Sequence, residues 1–239
     1  MVSLAPDAER WLIVNADDFG QSHAINRGVA VAHERGIVTS ASLMVRWPSS
    51  MEAADYARSH MQLSLGLHVD FGEWTYRNDT WVAVYQVIPT DDADAAAREL
   101  ALQLECFRHL VGTDPTHLDS HQHVHRTNPL RSVFVDCARQ LGIPLRDADP
   151  GIRYDGSFYG QSGRGCPVPE AITVEALVRL IEDLPPGVTE LGCHPGERDD
   201  TLDSMYSTER VAELKVLCDP RVRAAIRQCG VRLVNRTLE

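Results

Sequence analysis

The sequence predicts an α/β protein, a (β/α) barrel of irregular build with about seven parallel strands. Three observations carry that expectation. Short apolar runs alternate with amphipathic stretches along almost the whole chain, the pattern of parallel strands joined by crossover helices. The 239 residues suit one barrel domain, so 1–239 is expected to form a single unit. Neither G-x-G-x-x-G nor G-x-x-x-x-G-K-[ST] occurs, which removes the usual reason to prefer an open nucleotide-binding sheet.

The elements follow in order. Trp11 to Asn15 reads as a short buried strand. Ile25, Val29 and Ala32 have helical spacing, and that helix stops at Gly36. Ile37 to Val45 is apolar and β-branched, hence a strand, and Pro48 can open a helix running to about His60. Leu63 to Val69 is a third strand. Residues 71–90 show no period but carry Trp74, Tyr76, Trp81 and Tyr85. A helix from Asp91 to Leu110 is rich in Ala and Leu, with Asp91 or Asp92 as its cap. Thr116 to Asp119 is a strand, Pro129 to Leu141 a helix, and Ile143 to Arg146 a strand. Residues 147–169, rich in Gly and Pro, read as a loop. A helix over Thr173 to Leu184, a strand over Val188 to Cys193, helices over Thr208 to Leu217 and Arg221 to Cys229, and a strand over Val231 to Asn235 complete the chain.

Composition narrows the function. A hydrophobic fraction of 44% can fill a core. A net charge of −11 disfavours nucleic acid and anionic membranes, both of which need Lys and Arg. No run approaches the roughly 20 apolar residues of a membrane span, and Met1 to Asp7 has no basic region followed by an apolar stretch. The six cysteines form no C-x-x-C pair and read as buried small hydrophobes in a reducing, cytoplasmic compartment.

Four polar clusters follow expected strands: Asp17-Asp18-Phe19-Gly20, His68, the run from His117 to His125, and Cys193-His194-Pro195-Gly196. In a barrel, the C-terminal strand ends open onto one catalytic face, so these clusters are expected to converge. His or Asp occupies 117, 119, 121, 123 and 125. If extended, the run puts all five on one face; if helical after Ser120, it pairs His121 with His125. Either way several imidazoles share one space, the usual makings of a metal site when a carboxylate is near. A solvated His-rich loop is the plainer alternative, but it leaves the placement at strand ends unexplained. Of the adjacent carboxylates, one is expected to bind the metal and the other to act as general base. His194 is expected to act as general acid. Asp70, Glu73, Asp199 and Asp200 read as surface or loop charges, and Trp74, Trp81, Tyr85 and Tyr159 as core or loop anchors.

These segments together resemble the YdjC-like carbohydrate deacetylases, of chitooligosaccharide and hopanoid-associated type. The resemblance rests on Asn15 to Gly20, Val38 to Ser40, Gly66 to His68, Pro115 to His125 and Cys193 to Gly196, in family order. It implies a β/α barrel and one divalent metal ion, Mg²⁺ or Zn²⁺, held by Asp18, His68 and His121. Asp17 then stands as catalytic base and His194 as acid, with Arg146, Tyr159 and His125 as substrate contacts. The implied substrate is an N-acetylated sugar, and a homodimer is expected from the resemblance and from the frequency of two-fold assemblies. Gln21 and Glu197 depart from the family pattern, and the stretch between His68 and His117 is short, which bears on substrate identity rather than on the metal site. The alternatives are another metal-dependent hydrolase such as a phosphoesterase, to which Arg126, Arg146 and Arg153 could contribute, and a module that binds sugar or metal without turnover.

Overall fold

The computed structural model describes residues 9–199, 201–202 and 204–237, so Met1 to Asp7 and Asp200 lie outside the described residues. The chain runs through β1 (Arg10–Phe19), α1 (His23–Glu34), β2 (Ser40–Leu43), α2 (Ser50–Ser59) and β3 (Ser64–Val69). Next come β4 (Gly72–Arg77), β5 (Thr80–Gln86), α3 (Ala93–Val111), β6 (Leu118–Ser120) and a 3₁₀ stretch at His121–Arg126. Then follow α4 (Leu130–Leu141), β7 (Ile152–Asp155), α5 (Val174–Glu182), β8 (Gly187–Cys193), α6 (Thr208–Leu217), α7 (Pro220–Gln228) and β9 (Val231–Leu233).

Seven strands form one sheet in the order β6-β3-β2-β1-β8-β7, with β9 on β1. Every ladder in it is parallel. β1 shares one edge between two partners: Arg10 to Leu12 pair with β9, and Asn15 to Phe19 pair with β2. The chain thus re-enters the sheet at its end, where the Arg236 amide donates to Ser64 Oγ (2.9 Å). Among the described residues no ladder joins β7 to β6, so the barrel is open there. The expected strand at 143–146 is a single parallel bridge, Leu118 to Leu145. β1, β2 and β3 are buried on both faces, as parallel strands covered by helices must be.

Local chemistry sets the helix ends. Ser22, Asp92 and Thr173 each accept a hydrogen bond from an amide three residues on. Gly112 and Gly142, at φ 87° and 67°, close α3 and α4 in the left-handed conformation that glycine adopts without strain.

Two elements differ from expectation. Residues 72–86 are a hairpin: Asn78 and Asp79 take φ 52° and 60°, the double left-handed turn that matches strand twist. β7 lies inside the expected loop at 147–169; its four residues are too short to show a period. The cysteines also depart from a uniform buried set, since Cys193 is buried, Cys166 exposed and the others half-buried. Among the described residues no helix is long and apolar enough to cross a membrane.

One close approach in the core sets a testable limit. A Cβ on Gly66 would lie 2.4 Å from the His117 ring, which is itself fully buried and 3.0 Å from Ser42 Oγ. Gly66→Ala is expected to destabilise the fold by about 1–3 kcal/mol through overpacking. A lower urea midpoint at constant slope reads that loss, and an unchanged midpoint would mean that the ring is free to move.

Candidate active site

β1 delivers two adjacent carboxylates in different directions because its pairing to β2 shifts register between Ala16 and Phe19, and Asp18 takes φ 63°. Asp17 turns towards the barrel interior. Arg146 Nη1 and Nη2 donate to its two oxygens at 2.6 and 2.7 Å, and Asn15 Nδ2 donates to Oδ1 at 2.8 Å. Burial pushes this carboxyl up, but the Arg146 guanidinium outweighs it and holds the group at about 2. Asp17 is therefore ionised throughout the neutral range.

Asp18 faces two imidazoles. Its Oδ1 is 3.2 Å from His68 Nε2 and 2.9 Å from His121 Nδ1, and Arg210 Nη2 donates to Oδ2 at 2.6 Å. One ligand atom from each of Asp18, His68 and His121 lies within 4.8 Å of the others, and all three residues are buried. His68 Nδ1 is 2.8 Å from Asp119 Oδ1. That contact fixes the ring and leaves Nε2 as the nitrogen turned to Asp18, the arrangement expected behind a metal-binding histidine. Among the described residues, buried His121 Nε2 has no hydrogen-bond partner. A carboxylate oxygen and two imidazoles so gathered fit one divalent cation. A second grouping, Asp17, His68 and Asp119, is also close enough. Its atoms are already engaged: Arg146 takes Asp17, and Asp119 accepts from Ser42 Oγ (2.7 Å) while it holds His68. In the first grouping Arg210 likewise takes Asp18 Oδ2, but His121 Nε2 has no hydrogen-bond partner among the described residues.

His194, at the end of β8, stands on the other side of Asp17, with Nε2 3.8 Å from Asp17 Oδ2. Its ring meets Tyr159 and Tyr206 edge-on at 5.3 and 5.4 Å, and those two phenols stack on each other at 4.5 Å. Burial lowers the imidazole to about 4, so it is neutral at neutral pH. Behind it, Glu213 of α6 accepts from the His194 amide and from the Tyr206 hydroxyl, with Oε1 3.9 Å from Nδ1. Burial lifts Glu213 to about 8. Asp17, Asp18, His68, His121, His194 and Arg210 all line one cavity of about 820 Å³.

The YdjC-like protein family matches residues 11–228. The chain belongs to this family. A carbohydrate deacetylase of Geobacillus stearothermophilus is 33% identical over 95% of this chain and 96% of its own length. A chitooligosaccharide deacetylase of Serratia marcescens is 32% identical over 94% and 97%. A crystal structure from Enterococcus faecalis, provisionally assigned to cellobiose-phosphate cleavage, superposes with a TM-score of 0.78 at 27% identity, covering 96% of this chain and 98% of that one. A family 4 carbohydrate esterase from Streptomyces lividans, in complex with acetate, shares the fold at a TM-score of 0.54 and 13% identity, covering 94% and 92%. The YdjC-like fold is thus an α/β barrel-like one.

Within this YdjC-like chain the four polar clusters do converge, but not every expected contact reaches the cavity. Tyr159 lines it. Arg146 does not: it is buried among Asp17, Asp119 and Glu190, at 2.6, 2.7 and 2.8 Å. His125 is likewise buried, with Nδ1 2.6 Å from Ser120 Oγ and its ring against Phe134, while His123 takes the place on the wall. The run is neither one extended face nor a regular helix, since Gln122 and His123 adopt φ 49° and 54°. Asp70 does lie in the loop between β3 and β4, but it and Glu73 of β4 are buried, at 1% and 4% exposure. Tyr85 does anchor a loop, donating to Asp70 Oδ1 at 2.9 Å, whereas Trp74 and Trp81 line the cavity. Of the arginines weighed for an anion, Arg126 lines the cavity and Arg153 is exposed. Arg210, Tyr206 and Glu213 were not expected at the site. Arg210 and Glu213 read in the sequence as charges on an ordinary helix, and Tyr206 as a lone aromatic in the segment before it.

Proposed function

We propose that this protein hydrolyses the N-acetyl group of an N-acetylated sugar, giving acetate and an amino sugar. One observation carries the reading. Asp17, a carboxylate ionised and locked by Arg146, stands between a cation-binding set on one side and the neutral His194 on the other. In this reading Asp18, His68 and His121 hold one divalent cation, which when bound supplies Lewis-acid chemistry, acidifying water and polarising an amide carbonyl. Nitrogen-rich ligation favours a transition-metal ion such as Zn²⁺ over Mg²⁺.

Asp17 takes the proton of the attacking water. His194 is neutral at rest, so the proton it gives to the departing amine must arrive during the reaction, and Asp17 is its source 3.8 Å away. Tyr159 and Tyr206 keep bulk water from His194 and hold its ring upright against the cavity. Unbridged thiols among the described residues support a reducing, cytoplasmic location.

Arg210 favours a second reading. Its Nε and Nη1 are buried beside the cavity without a hydrogen-bond partner among the described residues, which suits a phosphoryl oxygen and hence a phosphoesterase. One assay separates the two. Acetate and phosphate are measured from panels of N-acetylated sugars and sugar phosphates, after chelation and after return of Zn²⁺ or Mg²⁺. Acetate release that falls on chelation and returns with the cation is expected. Phosphate without acetate would move the assignment to the second reading.

A further inference from the structure

Both imidazoles of the proposed cation set turn one nitrogen to Asp18 Oδ1, His68 through Nε2 and His121 through Nδ1. The second nitrogen of His68 meets Asp119 at 2.8 Å. The second nitrogen of His121 also faces a carboxylate: Nε2 lies 3.9 Å from Glu73 Oε2. Each ring thus stands between Asp18 and a carboxylate of its own. Glu73 lines the same cavity, but its oxygens fall outside the ligand atoms gathered by Asp18, His68 and His121.

The hairpin of β4 and β5 aims this side chain. Asp70, in the turn out of β3, accepts from the Gly72 amide at 3.0 Å and from the Tyr85 hydroxyl at 2.9 Å. Gly72 takes φ 143°, and a Cβ there would lie 2.8 Å from the Tyr85 carbonyl oxygen, so the position requires glycine. The ladder then shifts register between Glu73, opposite Tyr85, and Trp74, opposite Ala83. In a regular strand consecutive side chains leave opposite faces. Across this bulge both Glu73 and Trp74 line the cavity. Gln122, next to His121, pairs with the Trp74 backbone in both directions, accepting at 2.9 Å and donating at 2.8 Å. That clamp ties the hairpin to the histidine loop. A buried carboxylate needs a partner. Among the described residues Glu73 forms no ion pair with Lys or Arg; the Ser204 hydroxyl bonds to it, and His121 is the basic group it faces.

Resting on the proposed cation set, we infer that Glu73 is the positioning carboxylate of His121, keeping the ring proton on Nε2 so that Nδ1 is free for the cation beside Asp18. A carboxylate behind a ligating imidazole fixes its tautomer and raises its basicity, and so tightens cation binding without joining the ligands. At 3.9 Å the contact acts through charge more than through a direct hydrogen bond, and burial limits its screening by water. Glu73 then does for His121 what Asp119 does for His68, from a two-stranded excursion that lies outside the main sheet.

The test is the Zn²⁺ dissociation constant, read by competition with a chromophoric chelator, for wild type, Glu73→Gln and Glu73→Asp. Glu73→Gln keeps the shape and most of the hydrogen-bonding capacity but not the charge. It is expected to weaken Zn²⁺ by about tenfold, the lower end of the range for such partners. Glu73→Asp keeps the charge and is expected to retain most of the affinity, which a merely space-filling role would not distinguish. Heteronuclear NMR of the histidine rings in Zn²⁺-loaded wild type reads the tautomer without any substitution: His121 is expected to bind through Nδ1 and to carry its proton on Nε2. Wild-type affinity in Glu73→Gln, equal losses in the two variants, or a cation on His121 Nε2 would each overturn the inference. If wild type takes up no Zn²⁺, the cation set itself has failed and the inference falls with it. If Zn²⁺ binds but no N-acetylated sugar releases acetate, the deacetylase reading has failed, and the affinities still decide the role of Glu73.

Discussion

Asp17→Asn is expected to lower kcat by about 10²–10⁴-fold, the usual contribution of a positioned general base, and to leave cation content unchanged. Asparagine keeps the size of the side chain and its place beside Asn15 and Arg146, but it has no carboxylate to receive a proton. The proposed cation set of Asp18, His68 and His121 does not include it. Steady-state acetate release gives the first number, and metal content after gel filtration gives the second. The pair of results separates two placements. If the cation sat between Asp17, His68 and Asp119 instead, the same substitution would strip it and both numbers would fall together. Near-normal turnover with the cation retained would remove Asp17 from the chemistry. The pH dependence carries a further check. Arg146 holds Asp17 at about 2, so an acid limb of activity near neutrality cannot be its titration and must come from another group of the site.

What the sequence could show of this arrangement depended on the range of the interactions involved. Asp17, Asp18, His68, His121 and His194 each sit at a strand end, and a strand end is a local property, visible in apolar runs that stop at a polar residue. Their convergence follows from barrel topology alone. Arg146 is different. Read from Leu145-Arg146-Asp147 it is an ordinary charge after a strand, and nothing nearby shows that its partners lie at positions 17, 119 and 190. The same holds for Arg210 and Glu213, which share the buried face of α6 with Val216 and Leu217 and reach Asp18 and His194 from it. His125 was misplaced for a local reason that was not legible: two consecutive left-handed residues, Gln122 and His123, reverse the expected alternation. The hairpin was within reach, because Asn78-Asp79 between aromatic and β-branched residues is itself a turn signal.

Arg146→Met is expected to cost roughly 3–5 kcal/mol of folding stability, the range for removing one partner from a buried ion cluster. The guanidinium is wholly buried, and its nitrogens serve Asp17, Asp119 and Glu190. Methionine fills much of the volume, so the loss is electrostatic and not a cavity. The three carboxylates do not suffer equally. Glu190 retains Arg236 at 2.7 Å and Asp119 retains His68 and Ser42, but Asp17 is left with the Asn15 amide and the more distant His68 and His194. Burial, no longer opposed by the guanidinium, then raises the Asp17 carboxyl towards its neutral form. The sign follows. In the wild type this group lies below its ordinary 3.8, so its contribution to stability is present above that value and is lost as pH falls from about 4 to about 2. In Arg146→Met a raised carboxyl reverses the slope, and the variant is expected to gain relative stability as pH falls below neutral. Urea unfolding at pH 5 and pH 8 measures both the loss and the change of slope. Adding Asp119→Asn to Arg146→Met removes one stranded charge and should recover part of the loss, a coupling that a double-mutant cycle reads directly. A variant as stable as wild type at both pH values would mean that the cluster is held by packing and hydrogen bonds, with the charge of Arg146 incidental to it.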